Sequence, residues 1–202
     1  MTYLMNGSHF AKKYVNDYLT ADLPIRLIRY RNGWNLDSTK LPDPGQYIGY
    51  EPMAIDEWPS VITVALSMNG LERIGYDQTD PLYRVSYSMR TYLWVRDEGN
   101  EATTLMRDRL TTVTRSALLD YPCLKAHDSR TSFRALISEN SFREEYSDIT
   151  LLKGDRMMAG AYIAYTLEMD EVVAREALGV VSEIDVETTP TGVGQEMPSL
   201  DY

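Results

Sequence analysis

The stretch Leu82–Leu119 most constrains what this chain can fold into. It opens as LYRVSYSMRTYLWVR, in which Tyr83, Val85, Tyr87, Met89, Thr91, Leu93 and Val95 alternate with Arg84, Ser86, Ser88, Arg90, Tyr92, Trp94 and Arg96. Such alternation predicts a strand with one apolar face. At about 15 residues it is long against the usual five or six. The opposite face starts polar, gains Tyr92 and Trp94, and carries three arginines. Asp97-Glu98-Gly99-Asn100 then turns the chain into EATTLMRDRLTTVTRSALL, where Ala102, Met106, Leu110, Val113 and Ala117 recur at helical spacing. Asn100 is a good N-cap, Glu101 suits the positive end of the helix dipole, and Pro122 enforces the stop. The apolar stripe fits the Tyr83–Val95 face, with Arg107, Asp108, Arg109 and Arg115 toward solvent. Strand and helix together supply both layers of a small α+β domain.

The rest of the chain is organised around that unit. Ser8 caps a predicted helix from His9 to about Leu19, with Phe10, Tyr14 and Tyr18 on one stripe; Leu23-Pro24 breaks it, and Ile25–Arg31 is a second short element of open type. Arg31–Pro59 reads as a long irregular arm, since Pro42, Pro44, Pro52 and Pro59 forbid a regular ladder, while Trp34, Tyr47, Tyr50 and Trp58 imply that it packs down. Val61–Met68 is a strand with Ile62, Val64, Leu66 and Met68 on one face; Asn69-Gly70 signals a hairpin returning as Leu71–Tyr76. Phe133–Ile137 is a candidate strand, and Ser138–Tyr146 a short helix or loop. Arg156–Met169 alternates Met157, Ala159, Ala161, Ile163, Tyr165, Leu167 and Met169 with Met158, Gly160, Tyr162, Ala164, Thr166 and Glu168, and small residues on both faces suggest a crowded central strand. The expected organisation is one α+β domain over residues 1–178 with its arm at 32–59. An acidic tail at 179–202, flexible or ordered by a partner, follows; no Lys or Arg occurs from Glu176 to Tyr202.

Charge and composition remove several function classes. A net charge of −10 argues against a sequence-independent grip on nucleic acid. The single cysteine, Cys123, allows neither an internal disulfide nor a Cys-rich metal site. No signal peptide and no apolar run of membrane-spanning length is expected, which implies a soluble protein made in the cytoplasm. Phosphate-binding glycine loops, zinc-protease helices, nucleophile elbows and calcium loops are all missing. Cys123 with His127 is a conceivable nucleophile and base, yet lacks an orienting group. Asp56-Glu57 and Glu144-Glu145 are neighbours that diverge rather than converge on a metal. The expectation is no enzyme and no cofactor. What remains is basic and aromatic: Arg26, Arg29 and Arg31 around Tyr30, and the stripe Arg84, Arg90, Tyr92, Trp94 and Arg96. Such a pattern suits single-stranded nucleic acid, but it suits a protein interface better, where arginine and aromatics are enriched. With Trp58 from the arm, those five residues are the candidate subunit interface.

The order YEPMAIDEWPSV, a strand, Asn69-Gly70, YRVSYSMRTYLWVR, GNEATTLMRDRL and GAYIAYTLEMDE resembles the tail terminator (tail completion or neck) proteins of long-tailed bacteriophages, particularly those of actinobacteria. The resemblance covers about 52–171 and rests on patterns rather than a catalytic signature. It implies a mixed or mainly antiparallel sheet with two or three helices packed on one side. It also implies a structural virion protein at the top of the tail, assembled as a homohexameric ring. That ring ends tail-tube growth and joins the tube to the head connector, and viral DNA passes through without specific binding. Other connector proteins of the neck, such as the head-closure ring, are of similar size and build; a nucleic-acid-binding module is the remaining alternative.

Overall fold

In a computed structural model of the chain, the described residues are 7–77, 80–120, 123–124, 135–147, 151–153 and 156–173. The elements in order are α1 (Gly7–Trp34), β1 (Gln46–Ile48), β2 (Ser60–Asp77), β3 (Asp80–Asp97), α2 (Asn100–Asp120), β4 (Cys123–Leu124), β5 (Ala135–Tyr146), β6 (Leu151–Lys153) and β7 (Arg156–Val172). The strands form one sheet ordered β1-β2-β3-β7-β5-β4, with β6 also paired to β7. β1 runs parallel to β2; every other pairing is antiparallel. The fold is therefore α+β, a mixed, mainly antiparallel sheet with two helices.

The core forms where period two meets period 3.6. Val85, Met89, Leu93 and Val95 of β3 and Ile163, Leu167 and Met169 of β7 are fully buried beneath Leu110, Val113 and Ala117 of α2 and Val15, Leu19 and Leu23 of α1. Both helices thus cover the same face. Removing this much apolar surface from water is the main force holding the layers together. β7 lies between β3 and β5, which accounts for its small residues. Three core hydroxyls satisfy one another: the Tyr165 hydroxyl lies 3.0 Å from Thr91 Oγ1, itself 3.3 Å from Thr63 Oγ1. Tyr87 donates to Glu171 Oε1 at 3.1 Å.

Several expectations need correction. The first helix does not stop at Leu19, and no separate element follows Pro24: α1 runs 28 residues straight through the proline. Its buried stripe is Ala11, Val15, Leu19, Leu23 and Leu27, continuous across Pro24, so docking on α2 outweighs the one missing N–H donor. Phe10, Tyr14 and Tyr18 lie beside that stripe, partly buried. Asn69-Gly70 is no hairpin turn. β2 continues to Asp77 and matches β3 at 18 residues each, with register shifts between Ala65/Ser67, Met68/Gly70 and Arg73/Gly75. The long β3 ladder offers hydrogen bonds the whole way, and glycine accommodates the bulges. The bulges also move Met68 off the Ile62–Val64 face, because it pairs with Tyr87, which points to the helices. Residues 138–146 are strand, not helix, bulged between Ser138 and Arg143. Ala102 is exposed and Arg107 is buried, the reverse of the expectation. Arg107 fits because its Nη1 donates to Ser147 O at 3.0 Å and its guanidinium stacks 5.1 Å from the Tyr146 ring centroid. The proposed tail at 179–202, His127 and the Cys123 side chain lie outside the described residues.

Candidate functional site

Among the described residues both helices lie on one face of the sheet and no helix covers the other, the open face, where the arginine–aromatic stripe lies. Alternation along β3 puts Arg84, Arg90, Tyr92, Trp94 and Arg96 on that face, opposite Asp170, Ala164, Tyr162, Gly160 and Met158 of β7 in that order. Direct cross-strand neighbours share a face and interact. Arg84 is held by a forked pair of bonds, Nε to Asp170 Oδ1 at 2.8 Å and Nη2 to Oδ2 at 3.3 Å, which raises its pKa further. Arg90 lies over the Tyr162 ring at 4.5 Å and donates from Nη1 to the Tyr92 hydroxyl at 3.3 Å. Its Nε is buried without a hydrogen-bond partner. Tyr92 and Tyr162 pack with ring centroids 5.5 Å apart. The Tyr162 hydroxyl is held protonated to higher pH, chiefly by its hydrogen bond to Glu145.

Trp94 is seated by the absence of a side chain. A Cβ on Gly160 would stand 2.8 Å from the Trp94 ring, closer than van der Waals contact allows. The six-membered ring of the indole therefore occupies the space a side chain on Gly160 would need, a place only glycine leaves open.

The arm completes the site. Gly45 N donates to Pro59 O at 2.8 Å, and Gln46 Nε2 donates to Glu57 O at 3.0 Å and to Ser60 Oγ at 2.8 Å. With the short parallel pairing of β1 on β2, these bonds close the loop at 49–58 at its base. Leu41 and Ile48 are buried, so much of the arm packs on its own chain. The loop brings Trp58 to the stripe, forming a groove of about 480 Å³ lined by Met53, Ile55, Trp58, Ile62, Trp94 and Met158, among others. Ile48, Ile62 and Val64 form a second small core beneath it, with Ile55, Tyr92 and Trp94 packed on them.

The structure thus brings Trp58 together with Tyr92 and Trp94 and puts Arg90 and Arg96 on the same face, while Arg84 stands further along, committed to Asp170. Sequence reasoning missed Met158, Gly160 and Tyr162; the signal was there in β7, a glycine and a tyrosine alternating on the face opposite its buried residues. The other basic cluster dissolves. Arg26 is buried against Asp22 at 2.7 Å and Asp120 at 2.8 Å, Arg31 pairs with Asp43, and Arg29 is exposed. Glu144 faces Arg115 at 3.1 Å, on the helix side of the sheet, whereas Glu145 pairs with Tyr162 on the open face. Among the described residues, no group of three or more His, Cys, Asp or Glu is placed to hold a metal ion. No described helix is long and apolar enough to cross a membrane.

No family model and no curated protein matches this chain. The fold and the open face are what a functional reading has to stand on.

Proposed function

We propose that this chain is a structural ring subunit of a phage neck, which ends tail-tube growth and joins the tail to the head connector. The observation that carries the proposal is the outer half of the β2–β3 ribbon. Beyond its short pairing with β1, β2 is an edge that no described strand covers, and it leaves Met68, Leu71 and Tyr76 exposed by 50 % or more. An apolar, unpaired edge of this length is a liability for a chain that stays alone and an asset for one that packs against copies of itself. The open face adds a second surface rich in arginine and aromatics. Its partners would be further copies in a ring of six, the tail-tube protein and the head connector, in the virion, with DNA passing through the acidic channel unbound. A head-closure ring is the nearest variant. The nucleic-acid reading draws less support, since Arg84 is committed to Asp170 and the chain carries a net charge of −10.

Electron microscopy of the chain assembled with tail tubes tests the proposal. A sixfold ring capping the tube is the expected result. Another symmetry, or a tube whose length is indifferent to the chain, would sink it.

A further inference from the structure

We infer that the groove on the open face is the docking site for the chain's own segment 196–201, Glu-Met-Pro-Ser-Leu-Asp. Along β3 the groove is floored by Tyr92 and Trp94. Arg90 and Arg96 stand two residues to either side, on the same face. The order along the strand is cation, aromatic, aromatic, cation, with the outer two about 20 Å apart at strand rise. Segment 196–201 has the matching order, acid, apolar, Pro, small, apolar, acid. Pro198 favours the extended polyproline form, whose three residues per turn send Met197 and Leu200 to one side. In that form Glu196 and Asp201 are about 16 Å apart, a difference that long arginine side chains span.

Charge and reach favour the same occupant. Arg90 forms no ion pair among the described residues, so its charge has no carboxylate partner there and an incoming acid supplies one. No Lys or Arg occurs from Glu176 to Tyr202 to oppose the approach. The described chain stops at Val173, whose N–H donates to Pro81 O at 3.1 Å, at the end of β3 remote from the groove. Trp94 lies 12 residues along β3 from Leu82, about 40 Å away. The 22 residues between Val173 and Glu196 span about 70 Å when extended, enough to reach the groove of the same chain or of a second copy. The inference uses the open face alone and does not depend on the neck reading.

The test is site-specific photocrosslinking in the full chain carrying Leu200→p-benzoylphenylalanine, with attachment sites mapped by mass spectrometry. Attachment to peptides holding Trp58, Ile62, Tyr92, Trp94 or Met158 is expected. A monomer-sized product assigns the groove of the same chain, a dimer-sized one that of a second copy, and either supports the inference. Yield should fall about tenfold in Glu196→Lys/Asp201→Lys and in Arg90→Glu/Arg96→Glu, and recover when the two pairs are combined. The tail variant leaves the sheet untouched, so the test survives if the arginine variant does not fold. Attachment elsewhere, or a yield that neither charge reversal moves, overturns the inference. A failed neck reading would show instead as missing rings with the crosslink intact.

Discussion

Trp94 and Gly160 are one unit, and each fixes what the other can be. A methyl group on Gly160 would meet the indole at 2.8 Å, so Gly160→Ala must push the ring off the sheet and into the groove. The expected cost is about 1–2 kcal/mol. Trp94→Leu removes the clash, so the two substitutions should be less than additive in urea melts; full additivity would mean the ring is not seated on Gly160. Arg107 teaches the opposite lesson about sequence. It stands in a helix run of Arg-Asp-Arg that reads as a solvated face, yet it is buried, because Ser147 O and the Tyr146 ring receive it. Arg107→Ala leaves the Ser147 carbonyl without that donor and should cost about 1–3 kcal/mol, whereas Arg109→Ala, on a half-buried side chain bonded at 3.3 Å to Lys40 O at the surface, should change little.

At the scale of elements, α1 and β2 both override a local stop signal, for the same reason. A proline in a helix interior and Asn-Gly in a strand are breakers when nothing opposes them. Here a neighbouring element supplies a continuous surface: α2 for α1, β3 for β2. The α1–α2 contact is fastened by the Tyr18 hydroxyl donating to Ala117 O at 2.7 Å and by Arg26 reaching Asp120. Pro24→Ala restores a backbone donor to a helix whose path is already set. It should raise stability by about 1–2 kcal/mol, read as a higher denaturant midpoint. A drop would mean that the proline bends α1 onto the sheet.

At the scale of the whole molecule, the tyrosines make stability a function of alkaline pH. Burial lifts Tyr18 from 10.0 to about 12, and Tyr146 likewise to about 12. Burial is also the first cause at Tyr47, Tyr87 and Tyr165, which rise further. In every case the folded chain keeps a proton that the unfolded chain releases near pH 10. The unfolded state therefore binds fewer protons in that window. The stability is fully present below pH 10 and is lost as pH rises through 12 and above. Melting temperature should fall steeply over that range, and Tyr18→Phe should flatten the early part of the fall; an unchanged slope would show that Tyr18 is not desolvated. The proposed assembly is tested at the same scale. Met68→Lys/Leu71→Glu changes side chains that are half exposed in the isolated chain. The pair should abolish higher oligomers in native mass spectrometry while moving the melting temperature by only a few degrees. Equal loss of fold and assembly would put these residues in the core.

The sequence by itself determined the central unit, because there period and partner agree. The alternation of β3 and β7 and most of the helical stripe of α2 follow from which residues avoid water, and with them the α+β class and the face on which Arg84, Arg90, Tyr92, Trp94 and Arg96 stand. Tertiary structure decided whatever depends on a surface distant in sequence. Local signals ended α1 at Leu19 and β2 at Met68; packing carried both past those points. Trp58 joined Trp94 only when β1 paired with β2, a contact of three residues that no periodicity announces. Burial patterns report the solvent each residue avoids, whereas a site depends on which segments the remaining surfaces bring together.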